Sequence, residues 1–334
     1  MGIEINYRKL GARDAALRIL EIKNPVIFIH VRPDGDAVGS AAALSLIFRQ
    51  LGYSAPIKSA DKIPARLSFI LENTDTRVAD TLEGYTPVSI DTASISQLGA
   101  LYDENNLPRF MIDHHAVGEQ YADGYIAPEA SSAAEALFDI ALELSDMKKI
   151  EMTEPLAYAL YTAMSSDTGC FAYSNATPKT HRYAAVLIEH GIDSADINQR
   201  LFHSKTKEQI KAEGYISSKL RVALDGRISY ATLSYKEQKS LSLDAEHFDT
   251  AIDVARSVWG AEIAFVIKET EPGKYKASLR STGADVSKIA AKFGGGGHVR
   301  AAGCSPEAKS IKEACEIIIS EASSILSTHE NEEN

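Results

Sequence analysis

Val26-Ile27-Phe28-Ile29 is a short, uninterrupted apolar run, the pattern of a strand buried on both faces. A polar turn follows, and then the Ala- and Leu-rich segment from Ala37 to Leu51, which Gly52 closes, so this stretch reads strand, loop, helix. Pro87-Val88-Ser89-Ile90 and Arg109-Phe110-Met111-Ile112 predict two more short strands, each running directly into polar residues. Helical patterns occupy Ser131 to Leu144 and Glu154 to Met164, where Pro155 suits a first turn. Strands alternating with helices predict an α/β fold with a mainly parallel, doubly wound sheet, whose ligands sit beyond the carboxyl ends of the strands.

After Gly191 the pattern changes. The polar, Lys-rich stretch from His203 to Arg221 predicts a connecting helix. Beyond it Arg227 to Leu233, Ala261 to Ile267 and Lys274 to Leu279 predict strands, and His247 to Val258, Val286 to Lys292 and Ile311 to Leu326 predict helices. The expected organisation is a first domain over residues 1–195, a connection over 196–222, a smaller α/β domain over 223–328, and a frayed acidic tail over 329–334.

Composition narrows the function classes. With 45% hydrophobic and 24% charged residues the chain is globular, neither fibrous nor disordered. Its 35 Lys and Arg against 46 Asp and Glu, a net charge of −11, argue against gripping long nucleic acid by charge, so any nucleotide site must be local. The uncharged stretch Ala37 to Phe48 is shorter than the ~20 residues needed to cross a bilayer, so no membrane partner is expected. Met1 to Leu20 carries Glu4, Arg8, Lys9, Arg13 and Asp14 and lacks the apolar core of a signal peptide. Cys170, Cys304 and Cys315 show no paired spacing, which points to a reduced, cytoplasmic location.

Four polar clusters stand at predicted strand or helix ends. His30-Val31-Arg32-Pro33-Asp34-Gly35-Asp36 sets a His and two Asp around a tight turn. Carboxylates that close raise each other's pKa unless a cation lies between them, although Asp is also common in helix caps and turns. Asp91-Thr92 follows one strand and Asp113-His114-His115 another, each of which alone also reads as a polar loop or helix entry. Ser165-Ser166-Asp167-Thr168-Gly169 closes an otherwise apolar helix, where an Asp faces the negative end of the dipole and a cation would remove the conflict. Together Asp34, Asp36, Asp91 and Asp167 with His30 and His114 suit manganese or magnesium, and four carboxylates balance two divalent ions. Two such ions, ~3.5–4 Å apart, can generate hydroxide at neutral pH and hold both the attacking and the leaving oxygen of a phosphoryl centre, which predicts phosphoester hydrolysis.

In the second half, Gly294-Gly295-Gly296-Gly297-His298-Val299-Arg300 reads as an anion-binding loop, with His298 or Arg300 adding a charge-assisted bond, or as a flexible linker. No Gly-Lys-Ser/Thr follows, so it is not a nucleoside-triphosphate P-loop. Arg280, at a strand end, joins the same pocket or is simply exposed.

In this order the motifs resemble the DHH phosphoesterases, in the subfamily whose smaller C-terminal domain carries a GGGH loop, here Gly295-Gly296-Gly297-His298. Within it the chain looks most like the nanoRNases and 3'-phosphoadenosine 5'-phosphate phosphatases, from about Val26 to Gly303. The resemblance implies two divalent cations, Mn2+ ahead of Mg2+, one held by Asp36, Asp91, His114 and Asp167 and the other by His30, Asp34 and the shared Asp91. It implies that Asp113 supports His114, that His115 touches the scissile phosphate, and that Arg280, Gly295, Gly296, Gly297 and His298 bind the substrate's terminal phosphate or base across an interdomain cleft. The implied reaction is hydrolysis of short oligoribonucleotides to 5'-mononucleotides, and of 3'-phosphoadenosine 5'-phosphate to AMP and phosphate.

Three alternatives stay open: a cyclic di-AMP or linear dinucleotide phosphodiesterase, an exopolyphosphatase-like phosphohydrolase, and a nucleotide-sensing module that has kept the pocket and lost catalysis. Expected partners are short RNA or small nucleotides, neither long nucleic acid nor a membrane, and a homodimer is compatible with the chain. Phe171, Tyr173, Asn175 and Thr177 border the base or shape a loop, and Cys170 is expected to be small and buried. Trp259 is expected in the core, and His181, His190, His203 and His247 at the surface or in the core.

Overall fold

The computed structural model describes residues 7–333, apart from 75, 80, 81, 105, 244 and 249. The chain divides into two compact units, Met1–Ser204 and Lys205–Asn334.

The first unit runs α1 (Ala12–Glu21), β1 (Pro25–Phe28), α2 (Gly35–Gln50), β2 (Ile57–Lys58), α3 (Ser68–Thr74), β3 (Thr86–Ile90), β4 (Met111–Asp113), β5 (Gly124–Ile126), α4 (Ala133–Asp146), α5 (Glu154–Asp167), α6 (Pro178–Glu189) and α7 (Ser194–Asn198). Its five strands are parallel in the order β2-β1-β3-β4-β5. The unbroken apolar run at β1 has a direct cause, because both faces of the strand are covered. Ile27 and Ile29 join the main core with the helices, whereas Val26 and Phe28 pack against Ala79 and Leu98 on the other side. The chain turns from β1 to β2 on one flank and then crosses to β3 on the other, so the carboxyl ends of β1 and β3 flank the topological switch point where open α/β sheets bind ligands.

Helices α2 and α5 pack closely and antiparallel. A Cβ on Gly35, at the start of α2, would lie 2.2 Å from Ser166 Oγ near the end of α5, and one on Gly39 would lie 2.8 Å from Ala163 Cβ and 3.0 Å from the Ala159 carbonyl oxygen. Absent side chains at these two positions let the first turn of α2 meet the last turn of α5, which places Asp36 beside Asp167.

The second unit runs α8 (Lys207–Ser218), β6 (Arg221–Ala223), β7 (Ile228–Leu233), α9 (Tyr235–Leu241), α10 (Ala251–Arg256), β8 (Ile263–Glu271), β9 (Lys274–Ser281), α11 (Val286–Lys292), β10 (Gly296–His298), β11 (Ala301–Cys304) and α12 (Ile311–Glu333). Its sheet has the order β10-β11-β9-β8-β7-β6, antiparallel except for the β7–β8 pair. One face buries Ile263, Phe265 and Leu279 with α11 and α12, and the other buries Ala264 and Val266 with α8 and α10. Within the stretch expected to connect the halves, residues through Ser204 belong to the first unit, while α8 buries Ala212 and Ile216 in the second. The helix expected over His247 to Val258 is a 3-10 turn, Ala245–Phe248, followed by α10.

Trp259 corrects an expectation of the sequence. It is 98% exposed, on the loop after α10, where Gly260 adopts a positive φ and the chain turns into β8. Among the described residues no helix is long and apolar enough to cross a membrane.

Candidate metal centre

His30 and Asp34 come from the loop after β1, Asp36 from the first turn of α2, Asp91 from the residue after β3, Asp113, His114 and His115 from the end of β4, and Asp167 from the last turn of α5. The fold brings all of them together. Ligand atoms of His30, Asp34 and Asp91 lie within 4.8 Å of one another, as do those of Asp36, His114 and Asp167 and those of Asp91, His114 and His115.

Asp91 stands at the centre. Its Oδ2 lies 3.5 Å from His30 Nε2 and its Oδ1 3.6 Å from His114 Nε2. Its backbone is left-handed, φ 54°, an arrangement that Asp tolerates better than most residues and that collects at functional sites. His30 Nε2 is also 3.8 Å from Asp34 Oδ1, and His114 Nε2 is 3.8 Å from both Asp36 Oδ2 and Asp167 Oδ2. These separations exceed a hydrogen bond. They are near the spacing of donors that share one ion, since two atoms each ~2.1 Å from a cation stand ~3.0–3.5 Å apart at ordinary coordination angles.

The backs of the imidazoles point the same way. His30 Nδ1 is 2.7 Å from the Val31 carbonyl oxygen and His114 Nδ1 is 3.4 Å from that of Ala130, which favours a proton on Nδ1 and turns Nε2 toward the carboxylates. Asp36 is fixed from behind, with Ser40 Oγ donating to Oδ1 at 2.7 Å and the amides of Ala133 and Ala134, at the start of α4, donating at 2.7 and 3.2 Å. Asp34 does two things at once: it caps α2 by accepting from the Ala37 amide at 3.0 Å and it faces His30.

Four carboxylates this close cannot all ionise comfortably. Burial, and then the charges of Asp91, Asp167 and Asp34, push Asp36 well above the ordinary carboxylate range. Asp167 is lifted to about 7, first by burial and then by Asp34 and Asp91, against the pull of His114. Asp91 falls to about 2 because His30, His114 and His115 overcome its burial. His30 rises to about 11 against burial, through Asp34 and Asp91. A donor set of oxygens and imidazoles with this excess of negative charge fits hard or borderline divalent cations.

One pairing was not expected: Asp113 bonds His115, whose Nδ1 lies 2.7 Å from Asp113 Oδ1. Both histidines follow the end of β4, and their rings lie close, with centroids 4.7 Å apart. In the cation-free protein His115 is raised to about 9, against its burial, by Asp113, with Asp91 and Asp167 contributing, so there it carries two N–H donors at neutral pH.

Other residues of the site carry weaker sequence signals. Ser40 is legible only as the i+4 neighbour of Asp36 on α2, and the α4 amides have no side-chain signature. Asn175 donates from Nδ2 to the Ser131 carbonyl at 2.9 Å and to the Asp167 carbonyl at 3.2 Å, so it braces Asp167. Cys170, expected to be buried, is only half-buried, in a left-handed run with Gly169 and Phe171. Among the described residues no ligand-spaced group includes His181, His190, His203 or His247.

In the second unit the glycine run is a hairpin rather than an open loop. Gly296, Gly297 and His298 form β10, paired antiparallel with Gly303, Ala302 and Ala301. Gly297 has φ 142°, and a Cβ there would lie 2.4 Å from the Ala301 carbonyl oxygen, so only glycine allows the strands to close. A Cβ on Gly295 would likewise meet the Gly303 carbonyl oxygen, at 2.1 Å. Arg280 lies within β9, in register with Ala301, and donates to the Leu279 carbonyl at 2.9 Å. The His298 side chain lies outside the described residues.

Comparison with known proteins follows the same division. Residues 24–164 match the DHH family, N-terminal domain, and residues 226–324 match the DHHA1 domain. The chain is 30% identical, over 89% of its own length and 89% of the relative's, to the bifunctional oligoribonuclease and PAP phosphatase NrnA of Thermus thermophilus. Its fold resembles that of an exopolyphosphatase-related protein from Bacteroides fragilis, with a TM-score of 0.82 and 22% identity over 92% of this chain and 94% of that one. It is also similar to RecJ of Thermus thermophilus solved with Mn2+, with a TM-score of 0.55 and 15% identity over 93% of this chain and 55% of that one. With both domain signatures in order and a relative of that likeness aligned over nearly the whole of each chain, the protein belongs to the DHH family and is a hydrolase of phosphoester bonds.

Proposed function

We propose that the protein uses two divalent cations, Mn2+ ahead of Mg2+, to hydrolyse short oligoribonucleotides to 5'-mononucleotides and 3'-phosphoadenosine 5'-phosphate to AMP and phosphate. The observation that carries the reading is the convergence of His30, Asp34, Asp36, Asp91, His114 and Asp167 at donor spacing from four separate parts of the first unit. The name of the Thermus relative supports the two substrate classes, and the Mn2+ of RecJ supports the ion. In this reading His30, Asp34 and Asp91 hold one cation, and Asp36, Asp91, His114 and Asp167 hold the other. When bound, such a pair supplies Lewis acidity to the phosphoryl group and acidifies the attacking water.

The chain's own groups do the rest. Asp91 faces both imidazoles and so fixes the spacing of the two halves of the site. His115, held through Nδ1 on Asp113, presents Nε2–H to the scissile phosphate and gives its proton to the leaving oxygen as the P–O bond breaks. Arg280, the Gly295–Gly297 backbone and His298 are assigned to the terminal phosphate or base of the substrate. The net charge of −11 favours short substrates over long strands, and three free thiols fit a cytoplasmic setting.

The test is a substrate panel in Mn2+ or Mg2+ with product identification: a linear diribonucleotide, 3'-phosphoadenosine 5'-phosphate, cyclic di-AMP and polyphosphate, with Asp91→Asn as the inactive control. The reading expects 5'-mononucleotides from the first and phosphate from the second. Turnover of cyclic di-AMP or polyphosphate alone would replace it with that activity, and cation-free turnover would remove the two-cation mechanism.

A further inference from the structure

We propose that Glu135, buried on α4 and outside the cation cluster, is a positioning residue that sets the metal-binding geometry of Asp36, His114 and Asp167. The inference rests on the cation-binding reading above. Glu135 is 0% exposed. One of its oxygens, Oε2, accepts three hydrogen bonds: from the Ser131 amide at 3.3 Å, from Ser131 Oγ at 2.7 Å and from Thr180 Oγ1 at 2.7 Å. Its other oxygen, Oε1, has no hydrogen-bond partner and lies 3.7 Å from Lys179 Nζ. Its own amide donates to Ser132 Oγ, the N-cap of α4, at 3.0 Å. A carboxylate sealed from water is expensive to keep, and an apolar residue would pack at less cost if filling space were the only need.

What the carboxylate holds is the segment 130–134, which touches the cluster at three points. The Ala130 carbonyl faces His114 Nδ1. The Ala133 and Ala134 amides donate to the two oxygens of Asp36. The Ser131 carbonyl accepts from Asn175 Nδ2, which also donates to the carbonyl of Asp167. Through Thr180, the N3 residue of the α6 capping box, the same oxygen ties this segment to a second helix. One side chain thus fixes the outer partners of three members of the cluster, and loss of such partners characteristically weakens metal binding without removing a ligand.

The experiment is calorimetric titration of Mn2+ into the full chain at fixed pH, for the wild type, Glu135→Ala, Glu135→Gln and, as a packing control on the same helix, Leu137→Ala. Leu137 is fully buried among apolar residues of α4. Glu135→Ala is expected to bind Mn2+ about 10–100-fold more weakly. Glu135→Gln, whose amide oxygen still accepts from Ser131 and Thr180, is expected to recover most of that loss. Leu137→Ala is expected to lower the melting temperature while leaving the affinity within a few-fold of wild type. Wild-type affinity in Glu135→Ala, or an equal loss in Leu137→Ala, overturns the assignment to Glu135 and leaves the cation site standing. A wild type that takes up no Mn2+ overturns both. Should Glu135→Ala fail to fold, Thr180→Val removes one of the three donors, with a several-fold loss expected and no loss overturning the proposal.

Discussion

Replacing Gly39 by Ala tests how the fold brings the cluster together. The new Cβ would lie 2.8 Å from Ala163 Cβ, 3.0 Å from the Ala159 carbonyl oxygen and 3.1 Å from the Ala163 amide nitrogen. Carbon contacts prefer about 3.5–4.0 Å, so α2 must retreat from α5 by roughly 0.7–1.2 Å. Ala for Gly in a helix interior gains about 1 kcal/mol, while overpacking costs about 1–3 kcal/mol. Because the obstacle is largely backbone, the upper part of that range applies, for a net destabilisation of about 1–2 kcal/mol and a fall in Tm of roughly 2–8 °C. Gly214 on α8, where a Cβ would meet nothing within 4 Å, provides the opposite sign. Gly214→Ala is expected to stabilise the chain by about 0.5–1 kcal/mol. The two variants are compared by thermal denaturation without added metal and by turnover with Mn2+. Gly39→Ala is expected to lose turnover disproportionately, since an error near 1 Å in a catalytic constellation costs about 100-fold. A Gly39→Ala protein that gains stability as Gly214→Ala does, with normal turnover, would refute the close-packing argument.

Three further outcomes are expected. Asp113→Asn removes the bond that raises His115, so the limb of the pH–rate profile on which activity falls with rising pH moves to lower pH, and an unmoved limb excludes His115 as the donor. In the cation-free protein Asp167 titrates at about 7 and Asp36 is also raised, so Mn2+ uptake must expel protons and its apparent affinity falls between pH 8 and pH 6. Calorimetry in two buffers of different ionisation enthalpy measures that release, and pH-independent binding contradicts it. Trp259, the lone tryptophan, is expected to emit like tryptophan in water and to be fully quenched by iodide, whereas a shielded blue-shifted spectrum would return it to the core.

The site was more legible in the sequence than the scaffold around it. Cluster members sit directly after strands and in helix end turns, so their polar character interrupts apolar runs and stands out, as at Ile90-Asp91 and Ile112-Asp113. The short strands β2 and β5 carry too few residues for a period to show, and the 3-10 segment Ile95–Leu101 has neither helical nor strand spacing. Asp113 illustrates a second limit. Motif order places it beside both histidines, and only the folded positions of the rings show that it bonds His115 Nδ1. The glycine run shows a third: four glycines read as freedom to bind an anion, while the closing of a hairpin on the Ala301 carbonyl already requires Gly297. Backbone partners such as the Ala133 amide leave no trace in composition, and a buried acid such as Glu135 looks like any helix-start glutamate until its burial is known.

Anomalous diffraction at the manganese edge, from crystals of the full chain grown with Mn2+, tests the centre itself. Two peaks are expected, one bounded by His30, Asp34 and Asp91 and the other by Asp36, Asp91, His114 and Asp167. Diffraction data with no peak among these side chains, at Mn2+ concentrations that support turnover, would contradict the account.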